Sequence, residues 1–364
     1  MYGWPDATWK SDNFRSALDW LFHTQNLDWG LRLCMALFRF WDMREHLTEG
    51  RTRLETILRL ASDGYSKERA KISIFLGALT TAQGDYPAAQ HFLEHSLSLY
   101  EELGDRWGRG ASLNALAVSA RDRGDYSSAQ MNFERSLECW RALSDRLATA
   151  RCLHNLANVV QVRGNYSAAQ SALREATSLF EELGDRSGAA WSINQQGDIA
   201  REQGEMAIAR EFYQQALSAF REAGDRWGSA RSLADLGHVC REEGDYEAAR
   251  AAYREALKIF AELEHRRGMA RALEGCACLA LSRGDAARAL RLAAAAAHLR
   301  RLISAPLPQA EQTKLDQALF PAWESLGAAE ARAVWATGSG MSVGKAIEYS
   351  LDDTGPAISG QQGQ

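Results

Sequence analysis

Large apolar residues recur at helical spacing along most of this chain, and the recurrence itself repeats every 40 residues. Leu93, Phe133, Leu173, Tyr213 and Tyr253 form one column. Tyr100, Trp140, Phe180, Phe220 and Phe260 form a second column seven residues further on, on the same helical face. Two polar punctuation signals divide these segments. The first is Gly84-Asp85-Tyr86, which returns as Gly124-Asp125-Tyr126, Gly164-Asn165-Tyr166, Gly204-Glu205-Met206, Gly244-Asp245-Tyr246 and Gly284-Asp285-Ala286. Five residues after each glycine stands alanine: Ala89, Ala129, Ala169, Ala209, Ala249 and Ala289. The second signal comes half a period later, as Gly104-Asp105-Arg106, Ser144-Asp145-Arg146, Gly184-Asp185-Arg186 and Gly224-Asp225-Arg226, and it decays to Glu264-His265-Arg266.

Each column has a physical reason. A glycine closes the first helix by taking the left-handed conformation that residues with a Cβ avoid. The following Asp or Asn accepts hydrogen bonds from the free N–H groups that open the second helix. Alanine lets two helix backbones approach where a larger side chain would hold them apart. The Gly-Asp-Arg signal ends the second helix and caps the next unit. A unit therefore reads helix, tight turn, helix, tight turn. Neither helix buries its apolar face alone, so the units must stack.

Leu236-Gly237 followed by Gly244-Asp245-Tyr246-Glu247-Ala248-Ala249 resembles the tetratricopeptide repeat, whose hallmark is Leu-Gly and then Gly-x-Tyr-x-x-Ala. The period exceeds the usual one and is similar to the long-helix variant. HEAT repeats share the period, but the Gly-x-Tyr-x-x-Ala core argues against them. The resemblance implies an all-α, right-handed superhelical solenoid of antiparallel helix hairpins. We expect about six units over residues 66–300, a helical segment with a degenerate repeat over 1–65, capping helices over 301–350 and a disordered tail over 351–364.

The flanks carry a second resemblance. Asn13-Phe-Arg-Ser-Ala-Leu-Asp-Trp20, Leu37-Phe-Arg-Phe-Trp41 and Ala333-Val-Trp-Ala336 with Met341-Ser and Lys345-Ala-Ile347 look like parts of bacterial signal-transduction ATPases of the MalT-like and LuxR types. The ATPase and DNA-binding parts of such regulators are not found in this sequence. The resemblance implies either a piece of a larger regulator or a free-standing relative.

Composition narrows the function classes. Hydrophobic residues make up 46% and charged residues 24%, which are globular values. A net charge of −5 gives no basic footprint for nucleic acid. No stretch is apolar enough for a membrane span, and the six cysteines carry no CxxC pair. These features lead us to expect a cytoplasmic protein with no cofactor or metal and no direct contact with nucleic acid or membrane.

Two motifs imitate chemistry. Ser339-Gly-Met-Ser-Val-Gly-Lys345-Ala346 resembles a P-loop but lacks its first glycine, its final Ser or Thr and a preceding strand. His91-Phe-Leu-Glu94-His95 has the spacing of an inverted zinc-protease motif, yet it falls on variable outer positions with no third ligand nominated. The chain therefore reads as a non-enzyme.

Binding residues are sought on the first helix of each hairpin, which lines the inner curve of such solenoids. With Leu233, Leu236 and Gly237 turned to the core, four columns face the groove. They are Lys71, Arg151, Trp191, Arg231 and Arg271; Asn114, His154, Asn194 and Glu274; Asn158, Asp198 and His238; and Arg121, Gln161, Arg201 and Arg241. The last column also reads as basic residues complementing a helix dipole beside Asp122, Glu202 and Glu242. Trp191 is read either as core or as a stacking platform. Amide, carboxylate and imidazole groups in mid-helix have no capping role and can bond a peptide backbone. Helices about 10 Å apart over five units span about 40 Å, or about 12 residues of extended peptide. The expected partner is a protein or peptide of mixed charge in the concave groove, alongside other domains of a larger regulator.

Overall fold

A computed structural model describes residues 7–43, 46–61, 63–303, 305–307 and 309–352. The tail expected to be disordered lies outside the described residues from position 353 onward. All regular structure among the described residues is helical, and the chain divides into two units, residues 1–159 and 160–364.

The first unit holds α1 (Ala7–His23), α2 (Leu27–Met43), α3 (Leu47–Leu60), α4 (Ser66–Ala82), α5 (Tyr86–Glu102), α6 (Arg106–Asp122), α7 (Tyr126–Ala142) and most of α8 (Arg146–Val162). The second holds α9 (Tyr166–Glu182), α10 (Arg186–Glu202), α11 (Met206–Ala223), α12 (Arg226–Glu242), α13 (Tyr246–Glu262), α14 (Arg266–Ser282), α15 (Ala286–Leu302), α16 (Gln309–Ser339) and α17 (Val343–Leu351). No helix among the described residues is long and apolar enough to cross a membrane.

The turns follow from the punctuation. Gly84, Gly124, Gly164, Gly204, Gly244 and Gly284 all have positive φ. The next amide reaches back into the helix just ended, as in Asp85 N–H to the Thr80 carbonyl at 2.9 Å. Asp105, Asp185 and Asp225 then accept from the amides of Gly108, Gly188 and Gly228 at 2.8–2.9 Å, capping the helices they precede. At the degenerate signal His265 takes the same role, its Nδ1 accepting from the Gly268 amide at 3.0 Å. Ser144 and Glu264 keep the left-handed φ, at 53° and 52°, without being glycine.

Packing explains the columns. All six alanines are fully buried, as are Phe133, Tyr213, Tyr253, Phe220 and Phe260. The ring that ends one hairpin lies against the glycine that opens the next. A Cβ on Gly108, Gly188, Gly228 or Gly268 would sit 2.1–2.5 Å from the ring of Tyr100, Phe180, Phe220 or Phe260. Within a hairpin, a Cβ on Gly237 would meet the Tyr253 ring at 2.6 Å. Leu-Gly in the first helix is thus the slot for the tyrosine of the second.

At the start of the first unit, Trp41, Leu54 and Ile57 bury against Leu76 and Leu79 of the first full hairpin. At the end of the second, the alanine run Ala293–Ala296 buries beneath Ala322, Ala331 and Val334 of α16, which is broken at Gly327. The P-loop-like stretch connects two helices. Its Ser342 caps α17 by accepting from the Lys345 amide, so it forms an ordinary helix start.

Candidate functional site

In the second unit the first helices α10, α12 and α14 stand side by side, and their inner positions are joined by side-chain hydrogen bonds. Asp235 on α12 lies at the centre, 1% exposed. Its Oδ2 accepts from Arg231 Nε at 2.7 Å and from Asn194 Nδ2 on α10 at 3.0 Å, and its Oδ1 accepts from Arg271 Nη2 on α14 at 2.8 Å. Asn194 is satisfied on both sides, its Oδ1 accepting from Ser232 Oγ at 2.6 Å. Arg231 also reaches Asp198 on α10, Nη2 to Oδ2 at 3.3 Å. One buried carboxylate therefore ties three consecutive hairpins together and holds two guanidinium groups that are partly exposed.

Two further bonds anchor this row to the second helices. Tyr213 donates its hydroxyl to Asp198 Oδ1 at 2.7 Å, and the Tyr253 hydroxyl bonds His238 Nδ1 at 3.0 Å. Each pair spans 15 residues, from the inner face of a first helix to the buried tyrosine of its own hairpin. Next to them Gln195 donates to Gln161 at 3.2 Å.

Burial and charge set the protonation states. Burial pushes Asp235 upward, but Arg231 and Arg271 outweigh it and hold the carboxyl well below the usual range. Burial, and then the Asp235 charge, push Asp198 the other way, so of the two neighbouring carboxyls Asp198 takes up a proton first. Burial and the nearby Arg271 lower His238 to about 3, so its imidazole is neutral at physiological pH. In the first unit burial and Arg121 lower His154 to about 4.

Of the residues nominated from the sequence, Trp191, Asn194, Asp198, Arg201, Arg231, His238 and Arg241 lie in this unit on α10 and α12. Asn114, Arg151, His154 and Asn158 lie on α6 and α8 in the other unit, with Arg151 exposed and the rest half-buried. Asn194 is 2% exposed and spends its amide inside the protein. Asp198 and His238 likewise hold tyrosine hydroxyls. Trp191 packs at 4.4 Å from Trp227 and 4.8 Å from Phe220, so its stacking partners are aromatic. Arg241 pairs with the adjacent Glu242 and Arg121 with Asp122, consistent with the helix-end reading of that column.

Asp235 itself was not legible as a site residue from the apolar columns, because it stands between Leu233 and Leu236. The signal lay one column over: Asn155, Gln195 and Asp235 put polar groups at the same inward position in three successive repeats. The tyrosine hydroxyls had a signal too, since tyrosine replaces leucine or phenylalanine at that position in the two hairpins with Asp198 and His238. The inverted zinc-protease motif dissolves: His95 Nδ1 bonds Ser73, and Glu94 accepts from Gln90.

Left-handed turns, alanine contacts and the ring-on-glycine stack define a tetratricopeptide-type solenoid. The sequence profile of the MalT-like TPR region matches residues 142–340, more than half of the chain, and the chain belongs to that family. A tetratricopeptide repeat profile matches residues 109–145. No curated protein matches. Among solved structures, a Rap protein complexed with Competence and Sporulation Factor is similar at 15% identity and a TM-score of 0.68, over 90% of this chain and 88% of that one. The quorum sensor NprR of B. thuringiensis, in its apo form, is similar at 15% identity and a TM-score of 0.52, over 87% and 98%. A signal-transduction ATPase with numerous domains and a tetratricopeptide repeat sensor, from Pyrococcus horikoshii, is similar at 15% identity and a TM-score of 0.58, over 90% of this chain. This chain spans 52% of that ATPase.

Proposed function

We propose that this chain is a non-catalytic, cytoplasmic binding module that holds a peptide or a segment of a partner protein along its concave inner row, as the effector-sensing part of a signal-transduction ATPase type of regulator. The observation that carries the reading is the network centred on Asp235. It joins the row across three hairpins and leaves the side chains of Arg231 and Arg271 25% and 30% exposed, with Trp191 at the equivalent position of the preceding hairpin. Pre-ordered donors on a rigid floor lower the ordering cost of binding an extended chain. Family membership and the Competence and Sporulation Factor complexed with the similar Rap protein support the same reading. Effector binding that favours one arrangement of the hairpins would shift an activation equilibrium.

The test is selection of random dodecapeptides on the intact protein. Peptides selected on the native chain are then measured on a Trp191→Ala/Arg271→Gln variant that retains its helical circular dichroism. Affinity should fall by about tenfold or more, as expected for loss of an aromatic platform and a charge-assisted donor. Equal affinity for both proteins would refute the inner row as the binding face.

A further inference from the structure

The last full hairpin contains a cavity that the inner row does not use. About 60 Å³ of space lies between α13, α14, α15 and the C-terminal end of α17. Arg250 and Arg254 reach it from α13, Arg283 from the following turn and Arg288 from α15, over an apolar floor that includes Leu279 and Leu292. Two carboxylates, Asp285 and Asp352, lie among the lining residues. Asp285 is already engaged as a helix cap, its Oδ1 accepting from the Arg288 amide at 2.9 Å.

Four arginines outnumber the two carboxylates of the lining, and one of those carboxylates caps a helix. Arg254 donates to the Leu351 carbonyl at 3.2 Å, and Arg288 donates to the carbonyls of Tyr349 at 2.6 Å and Asp352 at 2.8 Å. These acceptors are uncharged backbone groups at the end of α17. Arg250 and Arg283 share Glu247, which lies on the surface with its side chain 73% exposed, at 3.8 and 3.3 Å. Charge pairs at such exposed positions are weak. Four guanidinium groups thus converge on one small space with a low-dielectric floor, where an anion is worth more than in water. A water needs about 10–15 Å³ of such space, so the cavity accommodates several waters or one tetrahedral anion with its oxygens toward the walls.

We infer that this cavity is an oxyanion site, taking free phosphate or sulfate, and that the bound anion tightens the seat of α17 on the last hairpin. Guanidinium groups match tetrahedral oxyanions through paired N–H donors. Arg254 and Arg288 touch both the cavity and the α17 carbonyls, so filling the cavity fixes the side chains that hold α17. The coupling is thermodynamic: a ligand bound only by the seated form stabilises that form.

Isothermal calorimetry on the full chain tests this with sodium phosphate and, separately, phenyl phosphate, each against sodium chloride at matched ionic strength. An Arg283→Gln variant is the control, because the Arg283 guanidinium donates to the exposed Glu247; its melting temperature in sodium chloride should match the native one. We expect saturable one-to-one phosphate binding that weakens by about tenfold or more in the variant, with a phosphate-dependent rise in melting temperature that the variant lacks. Phenyl phosphate should bind more weakly, because its ester linkage leaves one fewer terminal oxygen for the guanidinium donors. Absence of saturable phosphate heat, undiminished binding by the variant, or tighter binding of phenyl phosphate than of free phosphate would each overturn the assignment.

Discussion

Asp235 accepts a hydrogen bond at 2.8 Å from Arg271, a residue 36 positions further along the chain, and the carboxylate making this bond is almost wholly out of solvent. The same group holds Arg231 and Asn194, so its removal leaves two guanidinium groups facing each other without their shared counter-charge. Asp235→Ala should destabilise the chain by about 3 kcal/mol, the low end for breaking a buried pair because both arginines reach solvent. Urea denaturation measures this. The acid limb should move as well. The folded carboxyl lies below its unfolded value, so its contribution is complete above the unfolded pKa and is lost as pH falls through the folded one. The native protein should lose stability below about pH 4 more steeply than Asp235→Ala.

Ser144 and Glu264 hold left-handed backbone at turns where Gly104, Gly184 and Gly224 occupy the equivalent position. A side chain there costs about 1 kcal/mol relative to glycine. Ser144→Gly and Glu264→Gly should each stabilise by about that amount, read as a rise in urea midpoint with unchanged slope. A fall at either position would show that its side chain makes a compensating contact.

His265 should make the α14 hairpin sensitive to mild acid. Its Nδ1 accepts from the Gly268 amide at 3.0 Å and from Trp227 Nε1 at 3.3 Å, and both bonds require an unprotonated nitrogen. Burial and the neighbouring Arg267 lower its pKa from 6.5. A lowered pKa on a base means that the unfolded chain binds the proton first, so stability falls as pH drops below about 6.5. The other caps of this class are aspartates, Asp105, Asp145, Asp185 and Asp225, each accepting from a backbone amide three residues on. His265→Asp should therefore flatten the decline in melting temperature between pH 7 and pH 5. A decline as steep as the native one would place the effect elsewhere.

The hairpins were legible in the sequence because each turn needs a particular residue: glycine where φ is positive, Asp or Asn where free amides must be capped, alanine where backbones touch. The same logic extends to His265, whose cap replaces an aspartate at a fixed position. The site was less legible. The groove columns placed Arg231 and Asp198 on α12 and α10, but a column only marks the face from which a side chain starts. Asn194, Asp198 and His238 begin on that face and turn inward to satisfy buried partners, because an unpaired polar group there is costly. Asp235 shows the converse, a charge hidden between two leucines and made tolerable by arginines from its own helix and from the first helix of the next hairpin. Pairing across repeats is a relation between side chains 36 or 41 residues apart, and periodicity alone does not express it.

The proposed binding row runs along the first helices α10, α12 and α14. Hydrogen–deuterium exchange of the intact protein, with and without a saturating selected dodecapeptide, tests it most directly. Exchange should slow in residues 186–202, 226–242 and 266–282, with α11, α13 and α15 little changed. Protection confined to those second helices, with the first helices unaltered, would contradict it.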